Sequence, residues 1–150
     1  MERGCAMNNQ EKLVLVMDRS PTLAKFIYHR LGLPLDEKQV LFSIGFKYQK
    51  KLIGALCWTD FRPNHDVWWT IDTWDKHWCT KRVLKILFFL AKDVFHLKRI
   101  NALTKAGNQN AIDLLTRLGF EQEGVLKRFY ETGDDARLFA KHLPDSHGFI

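Results

Sequence analysis

The sequence predicts an α/β fold: one domain, residues 1–150, with a mixed central sheet of about seven strands flanked by helices. Three observations predict it. Apolar spacing switches between period two and period 3.6 in the order strand, helix, three strands, helix, strand, helix, two strands. No internal repeat, low-complexity tract or Pro/Gly-rich linker separates these segments. A length of 150 residues with 46% apolar content suffices for one packed core and is too short for two comfortable ones.

"KLVLVM" (12–17) reads as the first short strand. "SPTLAKFIYHRLG" reads as a helix with Ser20 as N-cap and Pro21 at the first helical position. Its inward face is Leu23, Phe26, Ile27 and Leu31, and Gly32 is the stop. "VLFSIGFKYQ", "KKLIGALCWTDF" and "DVWWTIDTW" are rich in β-branched and aromatic residues and are separated by short polar breaks, which predicts an antiparallel meander.

The apolar positions Val83, Ile86, Leu87, Leu90, Ala91 and Val94 keep helical spacing, and Leu84, Phe88 and Phe95 widen that surface toward a helix buried on most sides. "RINALTK" (99–105) is a strand that closes a strand-helix-strand crossover with the segment before it. "NQNAIDLLTRLG" is a helix capped by Asn108, with Ala111, Leu114, Leu115 and Leu118 inward and Gly119 as the left-handed stop. The last segment reads as two strands around a turn at Gly133 and Asp134.

The net charge of +6 favours an anionic partner: nucleic acid, an acidic protein surface or a phosphorylated small molecule. Three scattered cysteines, Cys5, Cys57 and Cys79, indicate neither a disulfide framework nor a zinc site, so a reducing cytosol fits. The six histidines show no metal-ligand spacing, and no metal is expected. The most apolar run, "VLKILFFLA", is far short of the roughly 20 residues a membrane span needs, and the first ten residues are expected to be loose.

The run "NQNAIDLLTRLGFEQEGVLKRF" resembles the N-x-x-[SA]-x-x-L-L-x-x-L-G-F-x-x-E-G-x-x-[RK] pattern of the GNAT superfamily of acetyl-CoA-dependent N-acetyltransferases, in the branch that includes ribosomal-protein N-terminal acetyltransferases. Asn108, Ala111, Leu114, Leu115, Leu118, Gly119, Phe120, Glu123, Gly124 and Lys127 fall in register. The resemblance covers roughly Val40 to Ala140 and implies acetyl-CoA as cosubstrate, an amine acceptor, and Asn108 and Ala111 at the cofactor. The family's Q/R-x-x-G-x-G/A loop is replaced by "WCTKRV": Trp78 stands for the Gln or Arg, Lys81 and Val83 for the glycines. That segment is similar to phage- and prophage-encoded GNAT-like proteins with loops of the form W-x-T-[RK]-R.

In the family, backbone N–H groups at a helix N-terminus hold the pyrophosphate of CoA, where unpaired donors meet the positive end of the helix dipole. Trp78, Cys79, Thr80, Lys81, Arg82 and Val83 are therefore the expected cofactor loop, with Thr80 as N-cap and Lys81 and Arg82 adding charge-assisted contacts. Cations in a first turn oppose the dipole, so they match a bound anion better than plain helix stability. The bland alternative is a solvated first turn.

The family's usual acid, a Tyr four residues before the Gly of "GF", is Leu115 here. Asp72 is the nearest carboxylate for a base, with Asp75 and Glu123 behind it; each has the alternative of pairing with a cation or capping a turn. Among Trp68, Trp69, Trp74 and Trp78, core packing or a homodimer contact is expected for most, with an exposed pair beside Lys81 and Arg82 available to stack an adenine or a peptide. A rival class is a catalytically retired fold that binds nucleic acid or an acidic host protein through its basic and aromatic surface.

Overall fold

The computed structural model describes residues 12–144, and the expectation for the first ten lies outside them. The strands are β1 (Leu13–Asp18), β2 (Val40–Tyr48), β3 (Lys51–Arg62), β4 (Asp66–Thr73), β5 (Arg99–Lys105), β6 (Glu121–Leu126) and β7 (Ala136–His142). The helices are α1 (Thr22–Leu31), α2 (Lys81–Phe89) and α3 (Gln109–Arg117). The strands form one seven-stranded mixed sheet in the order β1-β2-β3-β4-β5-β7-β6, with β4 and β5 parallel. The α/β fold and its mixed sheet are as the periodicity predicts.

The chain divides into two compact units, one holding residues up to Thr59 with Ile71–Leu87, the other holding Asp60–Thr70 with the residues from Phe88 onward. In the first, Phe42, Ile44 and Phe46 of β2 and Ile53, Leu56 and Trp58 of β3 are buried. Ala24 and Ile27 of α1 close on Ala55 and Cys57. In the second, Ile100, Ile112, Leu115, Phe120 and Phe139 are buried. Trp69 is also buried, with its ring against Phe88 and Phe120.

Helix α1 corrects two expectations. Its first turn is capped from before the helix: Asp18 Oδ2 accepts from the Leu23 N–H at 2.9 Å, and Ser20 Oγ accepts from the Thr22 N–H at 3.3 Å. Pro21 occupies the cap position and makes no side-chain cap bond, because its ring offers no acceptor. Phe26 is 47% exposed, and Ala24 takes the inward place that spacing assigned to it. Gly32 closes the helix at φ +68, as expected.

Helix α2 passes into a π turn over Leu90–Val94, where the Phe95 N–H reaches Leu90 O. It buries only the stripe Val83, Leu87 and Ala91, while Phe89 is 56% and Val94 46% exposed. The expected burial on most sides is thus one face at four-residue spacing. In α3 the fully inward residues are Ile112 and Leu115, with Ala111, Leu114 and Leu118 half-buried on the flank.

Candidate functional site

Strand β4 ends against β3 where Gly54 has no side chain. A Cβ there would lie 2.5 Å from Thr73 Cγ2 and 2.6 Å from Asp72 O, so only glycine lets the two backbones approach. The Trp74 N–H then bonds Ile53 O at 2.9 Å and fixes the exit of β4. Asp72 is half-buried at this point, and its Oδ2 accepts from Arg30 Nε at 2.7 Å. The same guanidinium lies 4.1 Å over the Trp74 ring, which meets Phe26 edge-on at 6.3 Å. Asp72 is therefore anchored by a cation from α1 that no sequence pattern connects to it. Cys57 is fully buried, and burial pushes its thiol up to about 11.

The segment after β4 is a short 3-10 turn, Lys76–Trp78, started by Asp75. The Asp75 carboxylate accepts from the His77 N–H at 2.9 Å and from His77 Nδ1, and these bonds, the backbone one first, hold it below the usual carboxylate range. Trp78 is 4% exposed and stacks on Phe46 at 5.1 Å. The indole of this expected cofactor-loop residue therefore packs in the core, because an aromatic one turn before α2 meets the buried face of β2, and only its backbone is left to face a ligand. Trp69 is likewise core, whereas Trp74 is the exposed tryptophan and is covered by Arg30 in place of a loop cation.

Thr80 caps α2 as predicted, its Oγ1 accepting from the Val83 N–H at 3.2 Å. The Cys79 N–H goes to Lys76 O and the Thr80 N–H to Trp78 O. The N–H groups of Lys81 and Arg82 have no acceptor among the described residues, so two donors remain at the positive end of α2. The Lys81 side chain is exposed, while Arg82 is partly committed, its Nη2 donating to Leu13 O at 3.2 Å. Val83 is fully buried and offers a ligand nothing beyond its backbone. The missing glycines thus leave two donors and one exposed ammonium, a smaller cradle than the full motif provides. Two N–H donors beside a cation nevertheless match a phosphate.

In the second unit Asn108 caps α3, its Oδ1 accepting from the Ala111 N–H at 3.1 Å. The cap role is thereby in place, and it consumes the Ala111 donor. Glu123 accepts from Arg99 Nη2 at 2.6 Å and lies 3.0 Å from His142 Nε2; Arg99 first, then His142, hold it below the usual range. Sequence reasoning missed the polar network beside it. Buried Asn101 accepts from Arg99 Nε at 2.7 Å and donates to Asp66 Oδ2 at 3.0 Å, and Asp66 takes two bonds from Arg62. The available signal was a polar residue amid the apolar positions of "RINALTK". Among the described residues no group of three His, Cys, Asp or Glu side chains is placed to hold a metal ion, and no helix is long and apolar enough to cross a membrane.

No protein-family model and no curated protein sequence matches the chain. Solved structures do. A GNAT-family acetyltransferase from Streptococcus pneumoniae superposes with a TM-score of 0.65 at 19% identity, over 88% of this chain and 99% of that one. The ribosomal-protein-S5-alanine acetyltransferase from Vibrio fischeri gives 0.59 at 20% identity, over 80% and 67%. An IAA acetyltransferase from Bacillus cereus gives 0.65 at 14%, over 87% and 99%. The fold is that of the GNAT acetyltransferases.

Proposed function

We propose that the chain is an acetyl-CoA-dependent acyltransferase that moves an acetyl group directly to an amine: a protein N-terminus, a lysine or a small-molecule amine. The observation that carries this reading is the pair of acceptor-free N–H groups at Lys81 and Arg82, at the start of the helix that leaves β4, in a chain with the GNAT fold. When bound, acetyl-CoA supplies the acetyl group as a thioester. The chain's own part is to bind phosphate at Lys81 and Arg82, with Thr80 holding the helix end in shape. Asn108 and Ala111 are assigned to the cofactor by resemblance alone. Asp72 is the proposed proton acceptor for the amine, anchored through Oδ2 by Arg30. Scattered cysteines without a disulfide pattern fit a reaction in a reducing cytosol.

A binding protein without turnover is the second reading. Two observations favour it: Asp72, Asp75 and Glu123 each already hold a cationic or capping partner, and Leu115 stands at the family's Tyr position. Incubation with acetyl-CoA and a panel of peptide, lysine and polyamine acceptors, followed by release of free thiol, separates the two. The first reading expects acceptor-dependent thiol release for at least one class. Release no faster than hydrolysis, with acetyl-CoA binding intact, selects the second.

A further inference from the structure

Positive charge is not spread evenly. Among the described residues the first unit carries twelve Lys and Arg against five Asp and Glu, and the second carries ten against nine. The excess gathers at one corner of the first unit. The β2–β3 connection is Gln49 and Lys50, both left-handed at φ +52 and +70, in a two-residue turn where Asn-Gly would be the unstrained choice. Lys51 pairs with Tyr48 across the hairpin, and the Gln49 N–H bonds Lys12 O at 2.8 Å, which brings Lys12 to the same end. The Tyr48 ring stacks on His77 at 4.1 Å with the planes 8° apart, so Lys76 joins the group from the turn after β4. None of Lys12, Lys50, Lys51 and Lys76 has a carboxylate within ion-pair distance among the described residues; the one acid here, Asp75, is taken by His77.

Among the described residues these four lysines make no ion pair, and only Lys76 has a nearby acid, Asp75, to offset part of their mutual repulsion. Around a parallel two-ring stack with half-exposed edges, they match the two components by which single strands are held: a cationic track for phosphates and an aromatic face for bases. We propose that this hairpin corner, Lys12, Tyr48, Lys50, Lys51, Lys76 and His77, binds single-stranded nucleic acid without sequence preference. An acidic peptide would use the lysines and leave the Tyr48–His77 stack idle. The corner adjoins the Lys81 and Arg82 donors, since Arg82 Nη2 bonds Leu13 O opposite Tyr48, but its proposed role does not depend on acetyl transfer.

The test is fluorescence anisotropy of a labelled oligothymidylate on the full chain across a salt series, with poly-glutamate and acetyl-CoA as competitors. Binding is expected to weaken linearly with log salt. The Lys50→Glu, Lys51→Glu, Lys76→Glu variant should reduce the slope by about 2, at about 0.7 for each single-strand phosphate that is no longer neutralised. Tyr48→Leu, which keeps an apolar side chain in the sheet, should weaken binding about tenfold or more. Acetyl-CoA affinity should be unchanged in Tyr48→Leu, with folding of both variants verified by thermal melts. No oligomer binding at low salt would overturn the proposal. So would poly-glutamate competing equally with no effect of Tyr48→Leu, since the partner would then be an acidic protein. Full displacement of the oligomer by acetyl-CoA, with both ligands lost in the lysine variant, would reduce the corner to part of the cofactor site.

Discussion

Replacing Trp78 decides whether the segment leading into α2 is core or ligand surface. The indole is 4% exposed and stacks at 5.1 Å on Phe46, itself fully buried. Trp78→Ala deletes a large ring from a site with no solvent to relax into and should destabilise by about 3–5 kcal/mol. That is a large part of a typical domain stability of about 5–15 kcal/mol. Trp78→Phe keeps a ring against Phe46 and should cost about 1–2 kcal/mol. Urea unfolding at 25 °C gives both values, and titration of Trp78→Phe with acetyl-CoA, well below its melting transition, should give a Kd within about threefold of the parent. A Trp78→Ala cost below about 1 kcal/mol, with affinity lost in Trp78→Phe, would show that the indole faces the ligand and that the packing argument is wrong.

Asp66→Ala should destabilise by about 1.5–3 kcal/mol, because it strips the shorter of two acceptors from buried Asn101 Nδ2, leaving only Val67 O at 3.4 Å. Arg62→Ala should cost less than about 1 kcal/mol, since the guanidinium side chain is 64% exposed. Equal costs in urea melts would contradict this division. The Arg62 bond holds Asp66 below the usual carboxylate range, so its contribution is complete above the unfolded value near about 4 and fades as pH falls toward the folded value. The melting gap between parent and Asp66→Asn should accordingly close in acid and stay open at pH 7. Thr80→Ala removes the α2 cap and should cost about 1 kcal/mol in the same assay; an unchanged midpoint would mean that the Val83 N–H finds another acceptor. Asp72→Asn should lower acetyl transfer at pH 7 at least tenfold with acetyl-CoA affinity unchanged, and full turnover would remove Asp72 as the base.

The succession of strands and helices along the chain and the Asn108 and Thr80 caps were legible because each depends on local periodicity or on a single side chain acting on its own helix end. What escaped were pairings across long sequence distance. Nothing in the chain links Arg30 to Asp72 or Tyr48 to His77, since those contacts exist only once α1 and the turn after β4 pack on the sheet. The burial of the Trp78 indole was hard to read for a related reason: its place in the loop motif was readable, while the direction of its ring depends on Phe46 of another strand. The loop itself was half legible. The Thr80 cap could be read, but the diversion of Arg82 to Leu13 O needs the folded edge of β1.

The measurement closest to the central claim is a calorimetric titration of the purified chain with acetyl-CoA, repeated on Lys81→Glu and on Lys81→Glu with Arg82→Glu. The account predicts binding at micromolar concentration or tighter. It also predicts a loss of at least tenfold with Lys81→Glu alone, while the thermal midpoint holds, because that side chain is exposed. Heats that vanish for the parent chain, or an affinity that ignores both reversals, would contradict a phosphate site at the start of α2.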